Sequence, residues 1–214
     1  MDDRFLRQQD AVNMERLQNL SVTLIGAGSI GSTTALWLGK MGVGRLIIFD
    51  NDYIEQHNWS NQVYREADVG RLKVDALAEI LNTFTGLHPE VHPIRYDGSR
   101  QSEVVISGVD SMASRKEIWR LVRDSRLYLD ARMGLETLIV YAVNPRVKDD
   151  RVRYVKTLYN DAEALQEPCT ARTICYTPLM AAAVLCNLVK RYANQVQLPG
   201  QIVLDLATYT AMSG

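Results

Sequence analysis

Residues Val22-Thr23-Leu24-Ile25 form an apolar run that passes directly into Gly26-Ala27-Gly28-Ser29-Ile30-Gly31, the spacing G-x-G-x-x-G. A second apolar run, Leu46-Ile47-Ile48-Phe49, ends in Asp50, nineteen positions after Gly31. A strand that turns on glycines straight into a helix implies a crossover back to a parallel neighbour, which commits the front of the chain to an α/β sheet. The three glycines serve different ends, with a tight turn at Gly26, close approach of backbone to a phosphate at Gly28, and close helix–strand packing at Gly31. The helix that follows aims its unpaired N–H groups at the anion. Asp50, at the tip of the second strand, is placed to accept hydrogen bonds from a ribose hydroxyl. The loop alone leaves the nucleotide undefined.

The rest of the pattern extends the same architecture. Residues 4–19 read as an N-terminal helix on the surface, 22–25 as a strand, 30–40 as a helix stopped by Gly39, Gly42 and Gly44, and 45–49 as a strand. Residues 51–69 lack a period, and a loop of that length in a compact domain is usually functional, so it is assigned to the active site. A helix over 71–84, strands over 90–94 and 103–107, and a turn at Gly108-Val109-Asp110 follow. Next come a helix over 114–123 and strands over 127–131 and 135–143. A seventh strand over 151–155, antiparallel to the sixth, a helix from near Pro178 and a strand over 202–206 complete the expectation. The fold class is α/β: a Rossmann-like sheet with a parallel front half, antiparallel C-terminal strands and helices on both faces, in a single domain spanning 1–214.

Charge narrows the partners. With 24 Lys+Arg against 25 Asp+Glu, the net charge of −1 gives no electrostatic reason to expect nucleic acid or an anionic membrane. The weakly polar run 179–189 is well short of the roughly 18 residues a membrane span needs. The acidic start Met1-Asp2-Asp3-Arg4 has no apolar signal region, so a cytoplasmic location is expected. Cys169, Cys175 and Cys186 are odd in number and form no C-x-x-C pair, which argues against a disulfide framework and a structural zinc site. His88 and His92 are spaced like a metal pair, but Pro89 denies the helix such a pair requires, and the histidines are given no role.

The polar residues beyond the glycines select among nucleotide chemistries. The chain carries Arg7-Gln8, Gly26/Gly28/Gly31, Asp50-Asn51-Asp52, Asn58-Trp59-Ser60-Asn61-Gln62, Val69-Gly70-Arg71-Leu72-Lys73 and Asp110-Ser111-Met112-Ala113-Ser114-Arg115. As a linked set over residues 4–143 these resemble the ubiquitin-activating-enzyme superfamily, which includes the bacterial ThiF and MoeB sulfur-carrier adenylyltransferases. One position departs: Asn61 stands where that family has an arginine.

The resemblance implies adenylylation, using ATP and Mg2+, of the C-terminal carboxylate of a small ubiquitin-like or sulfur-carrier protein ending in glycine. It implies that Lys73 contacts phosphate, Asp110 associates with magnesium, Asn58 and Gln62 line the nucleotide site with Asp52, and Asp50 binds ribose. It further implies a homodimer in which Arg7 reaches the neighbouring subunit's site, leaving Arg7, with Arg65 or Arg71, to compensate for Asn61. Residues 21–131 become a nucleotide-binding half and 132–214 a carrier-binding half. Glu167-Pro168-Cys169-Thr170 resembles the segment holding the thioester-forming cysteine of the eukaryotic enzymes, with Arg172 adjacent to lower the thiol pKa. Cys175 and Cys186 are expected to be inert.

Plainer readings stand beside these. Asp110 also suits a helix N-cap, Lys73 and Arg7 a solvated surface charge, and Arg132 either a substrate contact or a structural ion pair. The whole chain also admits an NAD-dependent oxidoreductase or a non-catalytic scaffold of the same fold. An enzyme adenylating a tRNA base is disfavoured by the neutral charge.

Overall fold

The computed structural model describes residues 3–160 and 174–214. Eight strands form one sheet: β1 (Ser21–Ile25), β2 (Arg45–Phe49), β3 (Glu90–His92), β4 (Val104–Ser107), β5 (Leu127–Met133), β6 (Thr137–Val143), β7 (Gln201–Asp205) and β8 (Thr210–Ser213). Their spatial order is β3-β2-β1-β4-β5-β6-β7-β8. The first five in that order are parallel and the last three antiparallel. The chain leaves β1 for β2 on one side and later returns to place β4 on the other. That reversal opens a crevice at the carboxyl ends of β1 and β4, where open α/β sheets bind ligands.

Period-two alternation in the strands supplies two cores. Val22 and Leu24 of β1, Leu46 and Ile48 of β2 and Val104 and Ile106 of β4 face α2 (Ser29–Met41), α3 (Lys73–Thr85) and α6 (Tyr176–Ala193) in the larger core. Ile25, Val105 and Tyr128 point the other way, against Ile118 of α4 (Met112–Leu121) and Tyr154 of α5 (Lys148–Val155). Helices on both faces and the parallel-to-antiparallel change are as the sequence implies.

Three local expectations differ. Residues 4–19 split into a 3-10 turn, Asp3–Gln8, and α1 (Met14–Asn19), whose start is capped by Asn13 Oδ1 accepting from the Arg16 N–H at 3.0 Å. Residues 151–155 are the end of helix α5, not a strand. Their alternation is accidental, since Val152 and Val155 are about half exposed at 49% and 50% and only Tyr154 is buried. Acidic Asp149 and Asp150 in the first turn and Arg153 in the last favour the helix through its dipole, and β7 occupies the place beside β6. Finally, β8 is an exposed edge strand whose sequence carries no alternation to reveal it.

Candidate functional site

The glycine-rich turn is built by steric necessity. A Cβ on Gly31 would lie 1.8 Å from the Gly26 carbonyl oxygen, so only glycine lets the first turn of α2 sit against the end of β1. Gly26 adopts φ +93°, the left-handed region open to glycine. A Cβ on Gly28 would meet nothing within 4 Å, so this face of the turn is open. Gly28 is also the N-cap of α2 and offers no side-chain cap, leaving the first-turn N–H groups available to an anion.

Asp50 stands against this turn. Its Oδ2 accepts from the Ala27 N–H at 2.6 Å and its Oδ1 from the Asp52 N–H at 2.7 Å. Each carboxylate oxygen keeps a further lone pair for an incoming hydroxyl. Burial outweighs the two backbone hydrogen bonds and lifts the Asp50 pKa above the ordinary carboxylate value.

Lys73 opens α3 and is 7% exposed, which removes it from the class of surface lysines. Its Nζ donates to Asp52 Oδ2 at 2.9 Å and its backbone N–H to the Asp52 carbonyl at 3.0 Å. A buried ammonium needs such a counter-ion; Asp52 itself is largely exposed, so the pair borders the crevice.

Loop 51–69 contains two 3-10 turns, Gln56–Asn61 and Glu66–Asp68. Asn58 Oδ1 accepts from the Glu55 N–H at 3.2 Å, which leaves its amide donors for other partners. Asn61 Oδ1 and Gln62 Oε1 are buried without a hydrogen-bond partner among the described residues. The loop's arginines are engaged. Arg65 donates to Asp68 through Nε at 2.9 Å and Nη2 at 2.8 Å, and to Glu79 at 2.6 Å. Arg71 Nη1 donates to Asp68 Oδ1 at 2.6 Å, and its Nη2 lies 2.9 Å from Glu79. The expectation that Arg65 or Arg71 carries a phosphate therefore meets a closed four-residue network. Sequence reasoning passes over Asp68 and Tyr64, although Arg65-x-x-Asp68 spacing and an aromatic in a polar loop are readable signals.

Asp110 follows β4 and is exposed near Gly108, which packs so close to the glycine-rich turn that a Cβ on Gly26 would lie 3.2 Å from the Gly108 carbonyl oxygen. The helix-cap alternative belongs to its neighbour: Ser111 Oγ accepts from the Ser114 N–H at 3.1 Å and caps α4. Arg115 is buried and donates to Asp130 Oδ1 at 3.0 Å and to the Ala131 carbonyl at 3.2 Å. Arg132 donates to Asp130 Oδ2 at 2.8 Å and to Thr157, and the Tyr154 hydroxyl donates to the same Oδ2 at 2.9 Å. Arg132 thus forms the structural ion pair.

Arg7 belongs to a segment at the far end of α2. Its segment is tied to the C-terminal ends of α2 and α3, with Gln8 Nε2 donating to the Met41 carbonyl at 2.7 Å and the Phe5 ring against Gly42. The 13 residues of α2, about 20 Å of helix, separate it from its own glycine-rich turn. Cys169 and Arg172 fall outside the described residues. Cys186 is buried, and burial pushes its thiol up to about 12. Cys175, unlike Cys186, is exposed at the start of α6.

Residues 3–184 match the ThiF family. The chain belongs to the ThiF family. Among curated relatives, ubiquitin-like modifier-activating enzyme 5 of Oryza sativa subsp. japonica is 35% identical over 79 residues, 37% of this chain and 18% of the relative. Adenylyltransferase and sulfurtransferase MOCS3-1 of Zea mays is 34% identical over 140 residues, 60% of this chain and 30% of the relative. This ThiF-family chain therefore spans under a third of the curated proteins it resembles. Among solved structures, Escherichia coli MccB with succinimide shares the fold at TM-score 0.76 and 18% identity, over 100% of this chain and 71% of that one. PaaA does so at TM-score 0.76 and 19% identity, over 99% and 68%.

Proposed function

We propose that this ThiF-family chain is an adenylyltransferase that uses ATP to activate the C-terminal carboxylate of a small ubiquitin-like or sulfur-carrier protein. The observation that carries this is the gathering of the open Gly28 face, Asp50, the buried Lys73–Asp52 pair and Asp110 around the crevice between β1 and β4. In the reaction a carboxylate oxygen bonds to the α-phosphorus, the bond to the β-phosphate bridging oxygen breaks, and that oxygen leaves with pyrophosphate. Negative charge on the phosphoryl oxygens is met by the α2 N–H groups and Lys73, with Asn58 and Gln62 contributing amide contacts and Asp50 holding the ribose. A dinucleotide oxidoreductase has no use for a buried lysine at this point.

The donor set suits a hard cation. Asp110 is an exposed carboxylate, and no group of three or more His, Cys, Asp or Glu side chains able to hold a metal occurs among the described residues. Mg2+ would be held by Asp110 together with phosphate oxygens and water, where it would neutralise developing charge. Arg7, unable to reach its own crevice, would serve a second copy in a homodimer. Residues 21–131 then handle nucleotide and 132–214 the carrier, with Cys169 as acceptor in a subsequent thioester and the cytoplasm as the site of action.

Pyrophosphate exchange into ATP, with and without a carrier ending in glycine, tests the activity. Carrier-dependent exchange that Asp110→Ala abolishes is expected. Absence of exchange despite bound ATP would favour the scaffold reading that Asn61 and the engaged arginines encourage. A Cys169→Ala variant that still forms a reducible carrier adduct would exclude that thiol.

A further inference from the structure

Ala27 sits at the bend of the glycine-rich turn with both of its hydrogen-bonding groups held by side chains from distant segments. Its N–H donates to Asp50 Oδ2 at 2.6 Å, and its carbonyl accepts from the Tyr64 hydroxyl at 2.7 Å. Ala27 is fully buried and Tyr64 is 3% exposed, so the second bond lies on the protein side of the turn. The carbonyl of Ala27 and the N–H of Gly28 belong to one planar trans peptide and point in opposite directions. A carbonyl anchored inward on Tyr64 therefore turns the Gly28 N–H outward, toward the face where a Gly28 Cβ would meet nothing within 4 Å.

Tyr64 is itself fixed. The preceding Val63 N–H points at Ser32 Oγ in the first turn of α2, at 3.4 Å, and the following Arg65 is locked to Asp68 by its backbone N–H and its guanidinium. Burial, then the nearby Asp50 and Asp68 carboxylates, keep the phenol protonated by raising its pKa, so it remains a donor.

We propose that Tyr64 is a positioning residue of the phosphate subsite: by holding the Ala27 carbonyl it aims the Gly28 N–H, and with it the free N–H groups opening α2, at a nucleotide phosphate. This rests on the nucleotide reading given above. Tyr64 touches no phosphate, and its contribution falls on phosphate and not on adenosine, whose ribose is assigned to Asp50.

Isothermal titration of wild type and Tyr64→Phe with ATP and with adenosine tests it. Phenylalanine fills the same space and deletes only the hydroxyl. The ATP Kd is expected to rise about tenfold, the equivalent of one misdirected hydrogen bond to an anion, while the adenosine Kd changes less than about twofold. Equal losses for both ligands, or no loss for either, overturn the role of Tyr64. A wild-type chain that binds no ATP overturns the nucleotide reading, and this proposal with it. If Tyr64→Phe does not fold, amide NMR of the wild type tests the aim of the Gly28 N–H on which the proposal depends: ATP must shift it and adenosine must not, and equal shifts refute the proposal.

Discussion

Replacing Asp68 with asparagine should make the protein's stability less dependent on acid, and the size of the effect follows from its four contacts. The Asp68 carboxylate is 1% exposed yet accepts from the Arg65 backbone N–H at 3.0 Å, from Arg65 Nε and Nη2, and from Arg71 Nη1. Hydrogen bonding to Arg65 is the leading cause that holds its pKa down to about 2 from 3.8, against the opposing effect of burial. That lowering corresponds to roughly 2 kcal/mol favouring the charged folded form. The partner guanidiniums are 50% and 38% exposed, and water screens them, so about 1–2 kcal/mol is the expected contribution.

The sign is fixed by linkage. A carboxylate with a depressed folded pKa stabilises the native state fully above its unfolded pKa, and the benefit is lost as pH falls from near 4 through about 2. With these two pKa values roughly half of the contribution survives at pH 3. Urea unfolding of wild type and Asp68→Asn at pH 7, 4 and 3 measures it. Wild type should be the more stable by about 1–2 kcal/mol at pH 7, and the gap should shrink to roughly half at pH 3. A gap that is absent at pH 7, or unchanged at pH 3, refutes the assignment of Asp68 as the charged centre of this network.

Other outcomes follow from the same geometry. Arg115→Met leaves Asp130 buried with one cation fewer and should cost about 3–5 kcal/mol in urea unfolding, with Arg115→Lys a poor rescue because lysine cannot span Asp130 and the Ala131 carbonyl. Gly31→Ala and Gly28→Ala should separate folding from binding in thermal shift with and without Mg-ATP. The first is expected to unfold the glycine turn, with a Cβ 1.8 Å from the Gly26 oxygen. The second, with φ −75° and an open face, should cost the apo protein about 1 kcal/mol or less while losing nucleotide-induced stabilisation. Thiol labelling of the native protein followed by peptide mass spectrometry should modify Cys175 and spare Cys186, whose buried thiol sits at about 12; equal labelling of both would contradict the packing of α6.

The β1–α2 unit is legible in the sequence because its constraint is steric and local: the three glycines and the strand before them dictate the turn without help from elsewhere. Asp50 is legible for the same reason, one strand further on. The environment of Lys73 is not, because it is created by loop 51–69 folding over the start of α3, and loop conformation leaves no period in the sequence. Residues 151–155 mislead by alternating apolar and charged residues at a spacing that a helix exposing Val152 and Val155 satisfies equally. Cys175 looks inert beside Ile174 and Tyr176, yet both are exposed with it at the start of α6.

The clearest gain from three dimensions concerns where positive charge can come from. Sequence alone offers Arg65 and Arg71 as neighbours able to replace the arginine missing at Asn61, and leaves Arg132 open between a substrate contact and a structural ion pair. In the fold Arg65 and Arg71 neutralise Asp68 and Glu79, Arg132 neutralises Asp130, and even Lys73 is paired with Asp52. Recruiting Arg65 to phosphate would strip an almost fully buried carboxylate of its Nε and Nη2 bonds and leave it Arg71 as its one guanidinium, and recruiting Arg71 would break its bonds to Asp68 and Glu79, costs that set themselves against a surface phosphate contact. Lys73 differs, because its partner Asp52 is 60% exposed and can be left to water. The proposed phosphate site therefore depends on one releasable lysine and the oriented N–H groups of α2; under the same proposal, further charge would come from a cation at Asp110 and from Arg7 of a second copy. This makes the aim of the glycine-rich backbone more consequential here than in a site furnished with its own arginine.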